Sequence, residues 1–235
     1  MFIIKKFIKH ILKKFNIGIY RITINQEIES ANSLKKFAID FNSLKKVDSW
    51  YSISKHVDDY LSKNRISFYN ELINLSVKEG VVFENKNVLD MGCGPGALLN
   101  ELNKRYKNTK FTGIDFSEKA IMYARKKMPG ITFKIEDIFQ YKIDKKYDII
   151  FCTEVLEHLA HPSQALKKML ELMNEKGVLI LTVPNGKIDT FIGHINFWSP
   201  ESWAIFLKEH SSDCEINTFL INKNVDNIGL ITKKS

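Results

Sequence analysis

Three cysteines in 235 residues are too scattered to build a site on. Cys93, Cys152 and Cys214 form no C-x-x-C pair, which argues against a thiolate zinc site or a dithiol redox centre. All three read as reduced, small core residues of a cytoplasmic protein. No uninterrupted apolar run reaches the ~18 residues of a membrane span, so no transmembrane helix is expected. No G-x-x-x-x-G-K-[ST] occurs, which excludes a P-loop. No internal repeat or low-complexity linker appears. Arginine is scarce: of 35 basic residues, 31 are lysine and four are arginine. A nucleic-acid binder would show arginines and a basic stripe near its site. Neither is present, so nucleic acid is not the expected partner despite a formal net charge of +8.

That charge is unevenly spread. Residues 1–20 hold five lysines and no acid, which leaves +3 for the rest. In residues 2–15, Ile4, Phe7, Ile8, Ile11, Leu12 and Phe15 share one helical face, with Lys5, Lys6, Lys9 and Lys13 opposite. Such a helix lies in an anionic membrane interface, or it packs on the domain or on a second subunit. Lysines interrupt every candidate h-region, so no signal peptide is expected. The expected localisation is the cytoplasm, at the inner face of the membrane if this helix binds lipid. Three regions are expected: a basic amphipathic helix over 1–20, a helical N-terminal cap over 21–80 and an α/β domain over 81–235. Trp50 and Tyr51 fall at a break in the cap, where an aromatic either stacks near a ligand or packs under a helix.

From residue 87 the pattern alternates strand and helix, which implies a parallel sheet. Strands are expected near 87–91, 110–115, 131–135, 147–152 and 177–183, with two more at Glu215 to Leu220 and Asn227 to Thr232. Helices are expected near 96–107, 117–127, 162–175 and 199–209. Pro162 and Pro200 suit helix starts, where a missing N–H is harmless. The stretch Val88-Leu89-Asp90-Met91-Gly92-Cys93-Gly94-Pro95-Gly96 joins the first strand to the first of these helices. Its glycines permit a tight turn and let a ligand approach bare backbone. Asp115 follows 19 residues after Gly96, the spacing at which α/β nucleotide folds hold ribose hydroxyls. Asp90, before the turn, would repel a pyrophosphate and attract an ammonium and a sulfonium. The G-x-G-x-G spacing also departs from the dinucleotide fingerprint. The implied ligand, cationic at one end and a nucleoside at the other, is S-adenosylmethionine.

These segments resemble the class I S-adenosylmethionine-dependent methyltransferases over roughly residues 80 to 233. Val88 to Gly96 resembles the family's first motif, Gly113 to Ser117 the ribose-holding segment and Glu136-Asp137-Ile138 the adenine segment. Tyr147 to His158 resembles the fourth motif. The resemblance implies a Rossmann-like, seven-stranded, mostly parallel α/β sheet with helices on both faces, its last pair antiparallel, and an N-terminal helical extension. It also implies cofactor contacts from Asp90, Gly92, Cys93, Gly94, Gly96, Asp115, Phe116, Asp137, Ile138 and Thr153. Arg65 is placed to reach the methionine carboxylate, the alternative being an exposed, solvated arginine.

Glu154, Glu157 and His158 form E-x-x-E-H. If this segment is helical, the three share one face and converge beyond the methyl donor. His194 lies after the fifth strand on the same rim. The pattern resembles small-RNA 3′-end 2′-O-methyltransferases, which bind a metal through four such groups, and ubiquinone-pathway O-methyltransferases, which also carry ExxEH. It implies that Glu154, Glu157, His158 and His194 hold one Mg²⁺ or Mn²⁺ ion. Many family members carry LEH here with no metal. In that case His158 or His194 is the general base, with Glu154 beside it. His161, directly before Pro162, reads as a helix-boundary residue. The expected activity is O-methylation of a small molecule, a sugar or surface glycan, or a lipid-linked acceptor. The alternatives are ribose 2′-O-methylation of RNA and an inactive cofactor-binding partner subunit. Oligomeric state is left open.

Overall fold

The computed structural model describes residues 42–142 and 145–234. The amphipathic stretch 2–15, and with it the whole 1–20 region, lies outside the described residues. Three helices come first: α1 Leu44–Tyr51, α2 Ser54–Tyr60 and α3 Lys63–Lys78. Strands and helices then alternate through β1 Asn87–Met91, α4 Ala97–Arg105, β2 Lys110–Asp115, α5 Glu118–Lys127, β3 Thr132–Ile135 and β4 Tyr147–Thr153. A single 3₁₀ turn, Leu156–His158, precedes α6 Pro162–Leu172, β5 Met173–Pro184, α7 Pro200–His210, β6 Cys214–Ile221 and β7 Asp226–Lys233.

The seven strands form one sheet in the order β3-β2-β1-β4-β5-β7-β6. β1 to β5 pair in parallel, and β7 runs antiparallel to both β5 and β6. β7 is therefore the one reversed strand, inserted between β5 and β6. The chain order changes between β1 and β4, where parallel α/β sheets open a crevice at their carboxyl ends. Alternate residues of each strand face opposite layers. Val88, Ile149 and Phe151 join one core, and Leu89, Ile150 and Cys152 join the other.

From residue 87 on, every expected strand and helix is present, with one clearly shifted boundary. The helix expected to reach residue 175 stops at Leu172, and β5 begins at Met173. Met173 pairs with Tyr147, and the Asn174 amide donates to Asp148 Oδ1 at 2.8 Å. These contacts, with a register shift between Tyr147 and Ile149, pull the end of the expected helix into the sheet.

The described part of the expected cap is not a separate layer. Phe68, Tyr69, Leu72 and Ile73 of α3 are buried in the same core as β1 and α4. Leu72 and Ile73 are fully buried, each worth ~1.5–3 kcal/mol of transfer free energy. α3 is thus part of the sheet domain.

The opposite core rests on Trp203 of α7, which is fully buried against Trp198 and Phe206. Its indole nitrogen has no hydrogen-bond acceptor among the described residues. Trp203→Ala is expected to destabilise the domain by about 3–5 kcal/mol in urea unfolding. Trp203→Phe should cost clearly less, because it also removes a buried, unpaired donor. Equal losses would show that the indole N–H is satisfied in solution.

Candidate active site

The glycine turn after β1 is built by exclusion. Gly92 has φ +78°, and a Cβ there would collide with the Val155 side chain. Gly96 has φ +82°, and a Cβ there would lie 2.7 Å from Met128 Cε and 2.9 Å from Phe133 Cζ. The N–H groups of Gly92 and Cys93 both bond the Ile114 carbonyl, at 2.8 and 2.9 Å, which ties the turn to β2. Asp115, at the end of β2, accepts from the Gly94 N–H through Oδ2 at 2.9 Å and from the Ser117 N–H through Oδ1 at 2.8 Å.

A cavity of about 260 Å³ opens beside this turn. Of the expected cofactor residues, Gly92, Cys93, Asp115, Phe116, Asp137, Ile138, Thr153 and Arg65 line it. Asp90, Gly94 and Gly96 are not in its wall. Asp90 lies behind the turn, 1% exposed, with Oδ1 unpartnered among the described residues. Gly96 faces the core, and Gly94 faces the Tyr51 hydroxyl, which is 3.0 Å from where its Cβ would stand. The Asp137 carboxylate closes its own turn, accepting from the Phe139 N–H at 2.7 Å.

Of the groups that roof the cavity, sequence reasoning singled out Tyr51, beside Trp50, and missed Tyr60 and Tyr69. Tyr51, Tyr60 and Tyr69 line it from α1 to α3, so the break after residue 51 places Tyr51 rather than Trp50 in the pocket. Trp50 instead stacks on His56, centroids 3.5 Å apart. α1 is tied down on both sides. Asn42 Nδ2 donates to the His158 carbonyl at 2.7 Å, and Asn42 Oδ1 accepts from the Ala160 N–H at 3.2 Å. At the other side Asp48 Oδ1 accepts from Ser117 Oγ at 2.5 Å, the hydroxyl that caps α5. No local pattern signals these contacts, because each joins residues more than 65 positions apart.

The ExxEH segment is not helical throughout. Glu154 has φ +56°, left-handed, and only Leu156–His158 forms a 3₁₀ turn. Glu154 therefore parts from the other two. Its Oε1 accepts from Thr182 Oγ1 at 2.9 Å, and its Oε2 lies 3.8 Å from Arg65 Nη1. Arg65 also lies over the Tyr60 and Phe68 rings, so it is a packed cavity residue. Burial, then the Asp226 charge, hold the Glu154 carboxyl up to about 7 against Arg65 and Thr182.

Glu157, His158 and His194 do converge, each offering a ligand atom within 4.8 Å of the others. Both Nε2 atoms lie 3.9 Å from Glu157 Oε1. Neither Glu157 oxygen has a hydrogen-bond partner among the described residues, and its side chain is 1% exposed. Burial, with the charge of Glu154, drives its pKa well above the carboxylate range. Burial lowers His158 to about 4, against the Gly193 carbonyl 3.0 Å from its Nδ1. A carbonyl only accepts, so Nδ1 carries the proton and Nε2 is the ring's acceptor. Asn196 locks the loop carrying His194 onto the 3₁₀ turn, its amide donating to the Leu156 and Leu159 carbonyls at 3.1 and 2.8 Å. His161 occupies the N-cap position of α6, without a capping side-chain hydrogen bond, as a boundary residue.

Residues 83–225 match the family model described as a methyltransferase domain. The chain belongs to that family, the class I S-adenosylmethionine-dependent methyltransferases. It is 29% identical over 178 residues to the methyltransferase candidate 235L of Invertebrate iridescent virus 6, covering 73% of this chain and 62% of that protein. It is 33% identical over 110 residues to the trans-aconitate 2-methyltransferase of Escherichia coli strain SE11, covering 46% of this chain and 44% of that one. The matches thus span less than two thirds of these relatives. Among solved structures, the N-methyltransferase NodS of Bradyrhizobium japonicum WM9, in complex with S-adenosyl-L-homocysteine, superposes with a TM-score of 0.65. That match has 20% identity and covers 84% of this chain and all of the other.

The buried carboxylates make stability depend on pH. Burial raises Asp90 from 3.8 to about 8, with Asp115 adding to it. Burial raises Asp115 to about 6, against its two backbone donors. Both groups bind a proton more tightly when folded than unfolded, so their contribution is full below about pH 4 and lost as pH rises through the folded values. The Tm of the ligand-free protein should therefore gain a downward slope between about pH 5 and about pH 8 from these groups. Asp90→Asn should flatten that slope, and an identical slope in the variant would remove Asp90 as its source.

Proposed function

We propose that the chain transfers a methyl group from S-adenosylmethionine to a hydroxyl oxygen. The observation that carries this reading is the adjacency of a nucleoside-sized cavity and the Glu157–His158–His194 cluster, with His158 shared by both. Asp115 holds the ribose through its remaining lone pairs, Phe116 and Ile138 cover the adenine, and Asp137 accepts from its amino group. Arg65 takes the methionine carboxylate. A bound cofactor's positive charge favours the ionised form of Asp90, which then acts from behind the turn as a field rather than as a contact.

Methyl transfer is an in-line displacement at carbon, in which alignment and a dry site do most of the work. A hydroxyl must also lose a proton, and His158 or His194 is placed to accept it, with Glu154 between that pair and Arg65. The cluster's chemistry also fits a divalent cation. Its atoms are a carboxylate without donors and two imidazole nitrogens, and their mutual approach calls for a positive centre. Glu157, His158 and His194 would hold Mg²⁺ or Mn²⁺, with Glu154 outside the ligand set. Such an ion supplies charge that favours the deprotonated acceptor.

The acceptor-side loop supports an apolar or lipid-linked acceptor over a free sugar. Ile188, Phe191, Ile192, Ile195 and Phe197 are 40–56% exposed, while Asp189, His194 and Asn196 turn inward. RNA ribose is the second reading, favoured by the same three-residue cluster and opposed by the scarcity of arginine. No helix among the described residues is long and apolar enough to cross a membrane. The basic face of residues 2–15 is the proposed peripheral contact.

Calorimetric titration of S-adenosylmethionine into metal-stripped protein tests the cofactor, followed by transfer assays on hydroxylated acceptors with and without Mn²⁺. Binding with metal-stimulated transfer is expected. Absence of cofactor binding would falsify the reading. Asp115→Ala should weaken cofactor binding by about 1–3 kcal/mol, and unchanged affinity would remove Asp115 from the ribose site. The full chain should sediment with anionic phosphatidylglycerol vesicles, and a chain lacking residues 1–15 should not, with cofactor affinity equal in both. A full chain that ignores such vesicles rules out the membrane contact.

A further inference from the structure

We infer that Asp189 is a positioning residue, which fixes the tautomer of His194 and turns its Nε2 lone pair onto Glu157. The inference rests on the reading of Glu157, His158 and His194 as the acceptor side of the active site.

Asp189 lies in the loop between β5 and α7, and nothing in its sequence neighbourhood marks it. Its side chain is only 8% exposed. One carboxylate oxygen, Oδ2, meets His194 Nδ1 at 2.5 Å, and the other, Oδ1, accepts from the Phe191 N–H at 3.0 Å. The Asp189 N–H in turn donates to the Asn185 carbonyl at 3.0 Å. The carboxylate is therefore held from behind before it reaches the ring. A carboxylate accepts, so the Nδ1 it faces carries the proton, and a neutral ring then presents Nε2 as its acceptor. That nitrogen points at Glu157 Oε1, 3.9 Å away.

The partner histidine is fixed in the same sense by a different group. His158 Nδ1 meets the carbonyl of Gly193, the residue directly before His194. The two rings lie 4.7 Å apart, both with Nδ1 directed to the loop and Nε2 to Glu157. One loop thus sets both tautomers. Of the two setting groups, only Asp189 is a side chain that substitution can change.

A loop-pinning role alone would affect folding without dictating which ring nitrogen holds the proton. Long-range ¹H–¹⁵N correlation spectra of the full chain labelled with ¹⁵N-histidine separate the two. The His194 signal is assigned by its loss in His194→Gln. The wild-type ring is expected to carry its proton on Nδ1. In Asp189→Asn the carboxamide oxygen keeps the Phe191 N–H and its NH₂ donates to Nδ1, so the proton moves to Nε2. Mn²⁺ affinity is expected to fall about 10–100-fold in the same variant, with S-adenosylmethionine affinity retained. A wild-type ring protonated on Nε2 or on both nitrogens overturns the proposal, and this needs no variant to fold. So does an Asp189→Asn ring still protonated on Nδ1. If the wild type binds the cofactor but not Mn²⁺, the metal reading fails while the tautomer still decides the role of Asp189.

Discussion

Buried negative charge without matching positive charge is the constraint on which this site depends. Asp90, Asp115, Glu154, Glu157 and Asp226 are held largely out of water near the carboxyl end of the sheet. Among the described residues, Arg65 is the one arginine or lysine lining the cavity. Burying an ionised carboxylate is costly unless it is paired or hydrogen-bonded, and the usual relief is to take up a proton. Burial does raise all five pKa values. The domain spends stability on acids that a purely structural core would not keep.

The two ends of the excess differ in what could relieve them. At the glycine turn, Asp115 already takes two backbone N–H groups, whereas Asp90 Oδ1 has no partner among the described residues. The cavity beside this end is lined by Tyr51, Tyr60, Tyr69 and Phe116 together with the acids Asp115, Glu136, Asp137 and Glu154, so its acids outnumber its one guanidinium. At Glu157 the neighbours are two imidazoles, one of which, His158, also lines the cavity, and each Nε2 lies 3.9 Å from Oε1, beyond hydrogen-bond reach. Glu154 stands between the two ends, tied to Thr182 and facing Arg65. Its left-handed backbone is what separates it from the histidines.

The sheet was legible in the sequence because its signals are local. Alternation marks strands, glycines at fixed offsets mark the turn, and proline marks the starts of α6 and α7. The error at Glu154 has a physical cause of the opposite kind. Spacing of three and four implies one helical face only if the backbone is helical, and a non-glycine residue at positive φ carries no local warning. The packing of α3 was legible only in part. Phe68, Tyr69, Leu72 and Ile73 recur at helical spacing, which signals a buried face, but the pattern does not say against what. Asp189, Asn42 and Asp48 were invisible because their roles exist only through contacts made by the finished fold.

The loop between β5 and α7 shows how these constraints combine. A surface loop ordinarily turns apolar groups in and polar groups out. Here the acid, imidazole and amide of Asp189, His194 and Asn196 must face inward, because the site lacks donors and oriented nitrogens and the 3₁₀ turn has carbonyls to satisfy. Around those positions Ile188, Phe191, Ile192, Ile195 and Phe197 are exposed, with the Phe191 ring also tilted against that of His194. Polar residues there would have met the same geometric demand without exposing apolar surface. Their apolar character is thus an added property of the sequence rather than a consequence of building the site. It sets a hydrophobic lip beside the groups proposed to receive the acceptor hydroxyl, which is the arrangement an acceptor with a large apolar body requires.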